Sequence, residues 1–345
     1  MVAAGALAAQ LSVGPDLSAQ TAASRGLTAV PGLKVGHHTL TERPTGCTVV
    51  LAEKGATAGV DVRGSAPGTR ETDLLAPTAS IDQVHAIVLS GGSAYGLDAA
   101  SGVMRYLEQQ GVGFKFGGAV IPIVPAAILF DLGVGDAKIR PTAECGYLAA
   151  KAATDGPVVE GNVGAGAGAT VGKMGGRDRA MKAGIGSAAI TLPNGLIVAA
   201  LVAVNARGDV IDPSTGQVVA GMRTEDGKGL ADVRRRLKSG QLDLPLPEAL
   251  QHTTLGIVAT NAALTKTQAT RVAQMAHDGL ARAISPAHTS ADGDAIFALA
   301  TGVRKGPDDL DMIGTLAAEA MAEAIVRAAR AATGIPGYPA ARDLR

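Results

Sequence analysis

The sequence predicts an α+β fold in which strands and helices form separate layers. Two observations lead to this prediction: the strand patterns occur in adjacent groups, and the helical patterns follow in groups of their own. This order is typical of a layered sandwich, and it disfavours a doubly wound sheet, in which strands and helices alternate. The 345 residues are enough for one large domain or two modest ones.

The composition indicates a large core made of small aliphatic side chains. Hydrophobic residues make up 47% of the chain and aromatic residues only 2%, and 46 glycines predict many tight turns and close backbone approaches. Cys47 and Cys145 belong to no CxxC or Cys/His cluster; they are predicted to be buried small side chains, and a disulfide between them stays open. Lys+Arg and Asp+Glu balance at 31 each, and stacking aromatics are scarce, so no nucleic-acid partner is predicted.

The N-terminal extension, residues 1–25, differs in character from the rest of the chain. Its first 24 residues are Ala-rich, contain no Lys or Arg, and include a short apolar stretch. They resemble the back half of a signal peptide without its positive region, and a disordered tail is the alternative. A cytoplasmic location is slightly favoured, and a periplasmic or secreted one stays open. Because no apolar run approaches about 18 residues, the length of a spanning helix, no membrane partner is predicted.

The first half of the organised chain combines strand patterns with two helical patterns. Strands are predicted for LTAVPGLKVGHHT, TGCTVVLA and ATAGVDVRG. The continuous apolar run Val84–Ser90 predicts a buried strand. Helices are predicted for LDAASGVMRYLEQQG, which is closed by Gly111, and for PTAECGYLAAKAA. Pro122 and Pro125 make AVIPIVPAAILFDL an irregular or edge strand.

The second half begins with a hairpin signal. The segment IGSAAITLPNGLIVAALVAVN contains two strand patterns around a Pro-Asn-Gly turn. Residues 215–247 are polar with weak periodicity and are predicted to form a surface linker. Thr265–Gln268 matches a capping box that begins an amphipathic helix. DAIFALATG predicts a strand, and Leu310–Ala332 predicts a long Ala-rich helix.

The common cofactor and metal motifs are not matched. GGSAYG follows a predicted strand but lacks the GxGxxG spacing, and the glycine-dense segment Gly161–Gly176 contains Lys173 without GK[ST]. No GxSxG elbow surrounds Ser93. The six histidines show no ligand spacing, so no metal and no other cofactor is predicted. Glycine density in these loops needs another cause, such as backbone that lies close to a buried catalytic centre or a substrate.

Two threonines, Thr253 and Thr254, stand at the mouth of the apolar run Leu255–Ala259. Either they begin a strand, or Thr253 becomes a new N-terminal residue that performs chemistry. An N-terminal threonine carries its hydroxyl nucleophile and its own α-amine, whose pKa of about 8 suits a general base. Such a residue must be created by cleavage of the preceding bond, here His252–Thr253.

A pair of carboxylates follows downstream. Asp292 and Asp294 lie two residues apart before a predicted buried strand, so both can point to one side of it. A turn with Asx hydrogen bonds is the alternative. Lys173 and Asn205 each lie beside an apolar, Gly-rich run, and each alone is more typical of a surface or turn position than of a catalytic one.

Five segments taken together resemble the DmpA-type family of self-processing L-aminopeptidases and D-amidases/esterases, which includes β-peptidyl aminopeptidases and nylon-oligomer hydrolases. The resemblance runs from about Gly26 to the C-terminus, with all five motifs in the family's order. It implies an αββα sandwich, in which two sheets are flanked by helices. The segments are VDVRGSAPGTRETDLL, LSGGSAYGLDAASGVMRYLE, IPIVPAAILFDL, HTTLGIVATNAALTKTQ and AHDGLARAISPAHTSADGDAIFALATG.

The resemblance also implies how the chain is organised. Residues 26–345 would form a single hydrolase domain that cuts itself into an α chain, 1–252, and a β chain, 253–345. The β chain would open on Thr253 as the nucleophile, with Thr254 as the less favoured choice. A homo-oligomer, a tetramer of αβ units, is implied as well.

The family's active-site positions carry over onto named residues of this sequence. Its lysine matches Lys173 in GATVGKMGG, and its oxyanion-stabilising asparagine matches Asn205 in LVAVNARGD. Its downstream polar pair matches Asp292 and Asp294, in the version typical of the nylon hydrolases. The GGSAYG loop, with Ser93 and Tyr95, resembles the wall of the substrate pocket.

One position departs from the family pattern. The residue before the nucleophile is commonly Asn or Gly, and here it is His252, which puts the rate of self-cleavage in question. The resemblance implies a hydrolase that releases N-terminal residues from small peptides, amides or esters through an acyl-enzyme. The alternatives are a polyamide (nylon-oligomer) hydrolase, an acyltransferase, and a catalytically silent relative. A binding module has only the Gly-rich loops in its favour.

Overall fold

The computed structural model describes residues 25–241 and 252–344. Almost all of the N-terminal extension and the end of the predicted linker therefore lie outside the described residues. Five α-helices are present in the described ranges: α1 Ala99–Gln109, α2 Ala143–Lys151, α3 Val233–Lys238, α4 Lys266–Ala283 and α5 Leu310–Ala331. Short 3-10 helices lie at Gly26–Ala29, Asp73–Leu75, Ser93–Asp98, Gly164–Gly166, Lys173–Gly175, Arg177–Arg179 and Ala341–Leu344.

The strands of the described residues fall along the whole chain. They are β1 Lys34–Thr39, β2 Gly46–Val62, β3 Thr69–Arg70, β4 Gln83–Ser90, β5 Phe114–Phe116, β6 Ala119–Ile121, β7 Ala126–Ile128, β8 Thr170–Val171, β9 Met181–Lys182, β10 Ile185–Thr191, β11 Ile197–Asn205, β12 Asp209–Ile211, β13 Val218–Ala220, β14 Thr253–Thr260, β15 Ile284–Ser285 and β16 Ala295–Ala300. Nine of them form one hydrogen-bonded sheet in the order β10-β11-β14-β16-β2-β4-β7-β3, with β1 also paired to β2. Within it β14/β16 and β4/β7 are parallel and the other pairs are antiparallel.

The long strand β2 joins the two sheet layers. Its first part, residues 46–51, pairs with β1 and β4, and its last part, residues 57–62, pairs with β16. The sequence predicts two strands here, TGCTVVLA and ATAGVDVRG, and that division is wrong. One strand continues through both segments, and its pairing with β4 is irregular only between Leu51 and Ala56, where it passes from one layer to the other.

Three separate hydrophobic clusters define four layers. The central cluster packs Ile87 and Leu89 of β4 against Leu255 of β14 and Phe297 of β16. A second cluster lies between α4, α5 and the β10-β11-β14-β16 half of the sheet. A third lies between α1, α2 and the β1-β2-β4-β7 half. The order helix–sheet–sheet–helix confirms the αββα sandwich.

Burial on both faces explains why the central strands read as continuous apolar runs. In β11, Leu201 and Ala203 point into the central cluster, whereas Val202 and Val204 point into the helix-covered cluster. Side chains alternate along a strand, so a strand with two covered faces needs apolar residues at every position. Ala-rich helices suit this packing because small side chains let helix and sheet backbones approach closely.

Two local predictions have different outcomes. The capping box is confirmed: Thr265 Oγ1 accepts the Gln268 N–H, and the Gln268 side chain accepts the Thr265 N–H. Residues 215–241 lie mostly at the surface, as predicted, but they are not a simple linker, because β13 and α3 form there. Met222 and Val233 are buried there, and their N–H groups donate to the carboxylate of Asp209 at 2.7 and 2.9 Å. A buried carboxylate thus organises a polar segment that hydrophobic periodicity could not reveal.

The two cysteines are buried, as predicted, and they are joined as a disulfide. Cys47 of β2 and Cys145 of α2 have Cα atoms 6.2 Å apart. The bond links a central strand to its covering helix. Among the helices of the described ranges, none is long and apolar enough to cross a membrane.

The closeness of helix and sheet can be tested at Gly186 in β10. A Cβ built there would lie 2.0 Å from Ala324 O and 2.5 Å from Ala328 N of α5. We expect Gly186→Ala to lower the free energy of unfolding by about 1–3 kcal/mol, because backbone must shift to admit the methyl group. Gly229→Ala is the control, since its Cβ would meet only the Thr224 side chain at 3.6 Å. Urea unfolding that shows equal stability for both variants would contradict the packing.

Candidate active site

Three strand ends meet at one edge of the sheet, and they bring most of the predicted site residues together. Antiparallel pairing of β11 with β14 places Asn205 opposite Thr253. Parallel pairing of β14 with β16 places Asp292 and Asp294, which precede β16, beside the start of β14. Thr253 is 3% exposed. The chemistry of this edge is therefore shielded from bulk water.

The Thr253 hydroxyl lies next to the peptide bond that precedes it. Its Oγ1 is 2.5 Å from the carbonyl oxygen of His252, to which it donates a hydrogen bond. The N–H of Gly293 donates to the same oxygen at 3.0 Å. A Cβ at position 293 would lie 2.5 Å from Ala66 O and 2.8 Å from Thr253 Oγ1, so only glycine fits here without a shift. The His252 carbonyl is thus held by two donors.

The two carboxylates flanking Gly293 have different partners. Asp294 Oδ1 accepts the N–H of Thr254 at 2.7 Å, and its Oδ2 accepts from the backbone N–H and ring Nδ1 of His288 at 3.1 and 2.9 Å. Asp292 Oδ2 accepts from the N–H and hydroxyl of Thr289 at 2.8 and 2.6 Å. The other oxygen of Asp292 is buried and has no hydrogen-bond partner among the described residues.

The electrostatic surroundings of Asp292 favour its protonated form. Burial and the neighbouring Asp294 raise the pKa of Asp292, against the lowering effect of Thr289 and Lys173. Two carboxylates and one amine therefore share a small, poorly solvated volume. In such a volume burial and a neighbouring like charge disfavour an ionised carboxylate, and a nearby ammonium favours it.

Lys173 is buried and points at Asn205. Its Nζ donates to Asn205 Oδ1 at 2.8 Å and to Asn205 O at 3.2 Å. Burial lowers the pKa of Lys173 to about 7; Asp292 opposes this shift and Arg177 adds to it. The preceding Gly172 has φ +73°, and a Cβ there would lie 2.0 Å from the backbone of Gly221. The glycine lets the chain place the lysine inside the protein.

The orientation of the Asn205 amide follows from its neighbours. Its Oδ1 accepts from Lys173 Nζ and from the N–H of Thr170, the latter at 3.1 Å. Its Nδ2 donates to the carbonyl oxygen of Phe130 at 2.9 Å. Donors on one side and an acceptor on the other fix which end of the amide is nitrogen. Nδ2 carries a second hydrogen that this contact does not use.

The Ser93–Tyr95 loop lies one segment away from these residues. The N–H of Ser93 donates to Leu129 O at 3.1 Å, and the next residue, Phe130, is the partner of Asn205. Tyr95 is 60% exposed, with the Arg140 guanidinium 3.7 Å from its ring centroid. The structure therefore brings together Thr253, Asn205, Lys173, Asp292 and Asp294, and it leaves Ser93 and Tyr95 at the periphery. A small cavity beside Lys173 is lined by Phe130, Asp131, Gly133, Val134, Thr170, Arg177 and Tyr338.

The buried charged residues around this arrangement were not predicted from the sequence. Lys182 donates to the carbonyl oxygens of Gly166, Ala169 and Ala183, and burial lowers its pKa to about 7. Its hydrogen bonds to Gly166 and Ala169 hold the glycine-dense segment in place. No pattern marked it, because a single lysine in a strand is ordinarily a surface residue.

A second missed group is the ion pair of Arg43 and Asp131, whose side chains are both 0% exposed. Asp131 also accepts from Thr45 Oγ1 and from the N–H of Gly92, which begins the Ser93–Tyr95 loop. The pair thereby fixes the segment that carries Phe130. Thr289 and His288 were missed too, although their closeness in sequence to the Asp pair was the available signal.

Comparison with known proteins identifies the family to which the chain belongs. Residues 25–342 match peptidase family S58. An uncharacterised aminopeptidase of Mycobacterium leprae is 43% identical over 91% of this chain and 92% of its own length. A 6-aminohexanoate-oligomer endohydrolase of Kocuria sp. is 30% identical over 87% of this chain and 84% of its own.

A solved structure supports the fold. The L-aminopeptidase D-Ala-esterase/amidase of Ochrobactrum anthropi, described as a variant of the Ntn hydrolase fold, superposes with a TM-score of 0.65. It covers 92% of this chain and 90% of its own, at 21% identity, so this likeness concerns the fold alone. The predicted resemblance to the DmpA-type family is confirmed. The chain belongs to peptidase family S58 and is a hydrolase with the N-terminal nucleophile hydrolase fold.

Proposed function

We propose that this hydrolase cuts its own chain between His252 and Thr253 and then uses Thr253 as an N-terminal nucleophile. The mature enzyme, with chains 1–252 and 253–345, releases N-terminal residues from small peptides, amides or esters through an acyl-enzyme. One observation carries the proposal: Thr253 Oγ1 lies 2.5 Å from His252 O while Gly293 N–H donates to that same oxygen. A hydroxyl and an oxyanion donor thus converge on one peptide bond.

In the first step the Thr253 oxygen attacks the carbonyl carbon of His252. The negative charge that develops on the carbonyl oxygen is stabilised by the Gly293 N–H, which already donates to it. The C–N bond breaks, the Thr253 nitrogen takes a proton, and an ester links the two residues. Water then hydrolyses the ester, which leaves a carboxylate on His252 and a free α-amine on Thr253.

This first step needs a base other than the α-amine, because the amine does not exist before the cut. Lys173 suits the role, since burial lowers its pKa to about 7 and part of its population is neutral near neutral pH. Its Nζ donates to Asn205, which pairs with Thr253 across the two strands. Asp292 is close enough to raise the pKa of Lys173. Its carboxylate would attract the ammonium group that forms once the lysine has taken up the proton.

In the second step the free Thr253 attacks a substrate carbonyl, and its own amine serves as the base. Asn205 donates to the substrate oxyanion through the Nδ2 hydrogen that Phe130 does not use. Loss of one such donor typically lowers kcat by about 10²–10³-fold. The leaving amine departs, and water releases the acyl group from Thr253.

The substrate is proposed from the relatives. The Mycobacterium leprae relative is named an aminopeptidase, which favours small peptides and amides with a free N-terminus. The Kocuria relative and the Asp292/Asp294 pair favour polyamide oligomers as the second candidate. Hydrolysis of aminoacyl amides compared with that of 6-aminohexanoate oligomers separates the two. Product formation that requires an amine acceptor would instead indicate an acyltransferase.

The assembly we propose is a homo-oligomer, a tetramer of αβ units.

Intact-mass measurement of the denatured protein tests the cut. We expect two chains that meet at His252–Thr253 in the wild type, and a single chain in Thr253→Ala, because that variant lacks the attacking oxygen. Thr254→Val is the matched control: the Thr254 hydroxyl is buried and has no hydrogen-bond partner among the described residues, so valine replaces it without loss. We expect this variant to be cut like the wild type.

A wild-type chain that stays whole and ignores all amide substrates would contradict the proposed function. His252→Asn then separates two causes. If the asparagine variant is cut, the histidine before the nucleophile blocks maturation. If it is not cut, the chain is a catalytically silent relative.

The role of Lys173 predicts how self-cleavage depends on pH. Because burial lowers its pKa to about 7, the lysine is protonated below that pH and neutral above it. We expect the self-cleavage rate of freshly synthesised precursor to rise as pH increases through about 7 and then to level off. Lys173→Met should remain uncut at every pH. A rate that falls through this range would mean that the charged form is needed and that another group is the base.

A further inference from the structure

We propose that His288 is a positioning residue that orients the Asp294 carboxylate and thereby fixes the start of β14, where Thr253 lies. The inference rests on the proposed role of Thr253 as the nucleophile. Neither the periodicity of the sequence nor the family's active-site pattern singles out His288. Two contacts join His288 to Asp294, and a third, from Thr254, reaches the other oxygen of that carboxylate.

His288 supplies two donors to one carboxylate oxygen. Its backbone N–H and its ring Nδ1 both reach Asp294 Oδ2, at 3.1 and 2.9 Å. The residue has φ +53°, in the left-handed region that few non-glycine residues adopt and in which His, like Asn and Asp, is enriched. In this conformation one residue presents its main chain and its side chain to the same acceptor.

The other oxygen of Asp294 acts on the nucleophile strand. Asp294 Oδ1 accepts the N–H of Thr254 at 2.7 Å, one residue after Thr253. The backbone of Asp294 is already held, because its carbonyl oxygen accepts from the N–H groups of Arg63 and Gly64. What His288 adds is therefore the rotation of the carboxylate. With Oδ2 bound to His288, Oδ1 is directed at Thr254.

The ring of His288 also contacts a residue of another element, the helix α4. The ring of His277 in α4 meets it edge to face with centroids 4.8 Å apart. His277 Nε2 contacts the Asp61 carbonyl oxygen of β2 at 3.1 Å. His288 Nε2 is buried and has no hydrogen-bond partner among the described residues, so Nδ1 is the ring nitrogen that joins His288 to Asp294. A continuous set of contacts thus runs from α4 to the nucleophile strand.

This arrangement predicts an effect on kcat rather than on KM. His288 touches neither Thr253 nor the carbonyl that Thr253 attacks, so its loss would misplace the nucleophile without removing a binding contact. Displacement of a reacting group by about 1 Å can lower the rate by about 10²-fold. Self-cleavage and turnover should decline together, because both use the same Thr253 oxygen.

Three substitutions test the proposal. Asn and Asp are alike in size and both tolerate a positive φ, but only His288→Asn keeps a side-chain donor for Asp294. His288→Gly keeps the backbone and removes the ring. We expect His288→Asn to retain most of the wild-type kcat, and His288→Asp and His288→Gly to lose at least about tenfold with little change in KM. His85→Asn is the control for the loss of a buried histidine. His85 lies near the start of β4, and its Nδ1 accepts the Ile123 N–H.

Kinetic constants, self-cleavage rate and melting temperature are measured for each variant. Equal kcat for the Asn and Asp variants would overturn the proposal, and so would a loss in all three that follows melting temperature. If either the Asp or the Gly variant does not fold, the other decides by the same comparison with His288→Asn. A wild-type protein that is neither cut nor active would refute the proposed function instead. A cut, active wild type with a fully active His288→Gly would refute only the role of His288.

Discussion

The pairing of β14 with two neighbours is the constraint on which the site depends. The antiparallel ladder with β11 brings Asn205 and its lysine to one side of Thr253, and the parallel ladder with β16 brings the Asp292–Asp294 turn to the other. A shift of one residue in either ladder would turn Thr253 to the opposite face of the sheet. The two hydrophobic clusters that cover the sheet hold this register, because each β14 side chain fits only one of them.

Buried polar groups explain why the protein uses so much glycine near the site. Lys182 takes the carbonyl oxygens of Gly166 and Ala169 as partners, and Lys173 enters the core after a glycine with positive φ. A buried amine is tolerated only when oxygen atoms replace its water. Closely approached backbone supplies those oxygens, and side chains would block the approach. This accounts for glycine-dense loops that match no nucleotide-binding motif.

Asp292 and Asp294 are the same type of residue, only two positions apart, yet their surroundings differ. Both carboxylate oxygens of Asp294 accept hydrogen bonds, so this side chain links Thr254 to His288. By contrast, one oxygen of Asp292 is buried and has no hydrogen-bond partner among the described residues. That difference comes from the donors that surround each carboxylate, namely Thr254 and His288 for one and Thr289 for the other. Gly293 between them turns its N–H toward the His252 carbonyl, so the short segment contributes from its backbone as well as its side chains.

The layered fold, the type of most elements, and the position of Thr253 at the start of a buried strand could all be predicted from the sequence. These follow from local signals: apolar runs for strands covered on both faces, a capping box, and an ordered set of motifs. The tertiary structure was needed to show that β2 is one strand shared by two layers, that residues 215–241 fold around Asp209, and that Lys182, Asp131 and His288 contact segments and side chains of the candidate site. Such roles depend on which donors and acceptors meet across distant parts of the chain, and a pattern of neighbouring residues carries no record of those meetings.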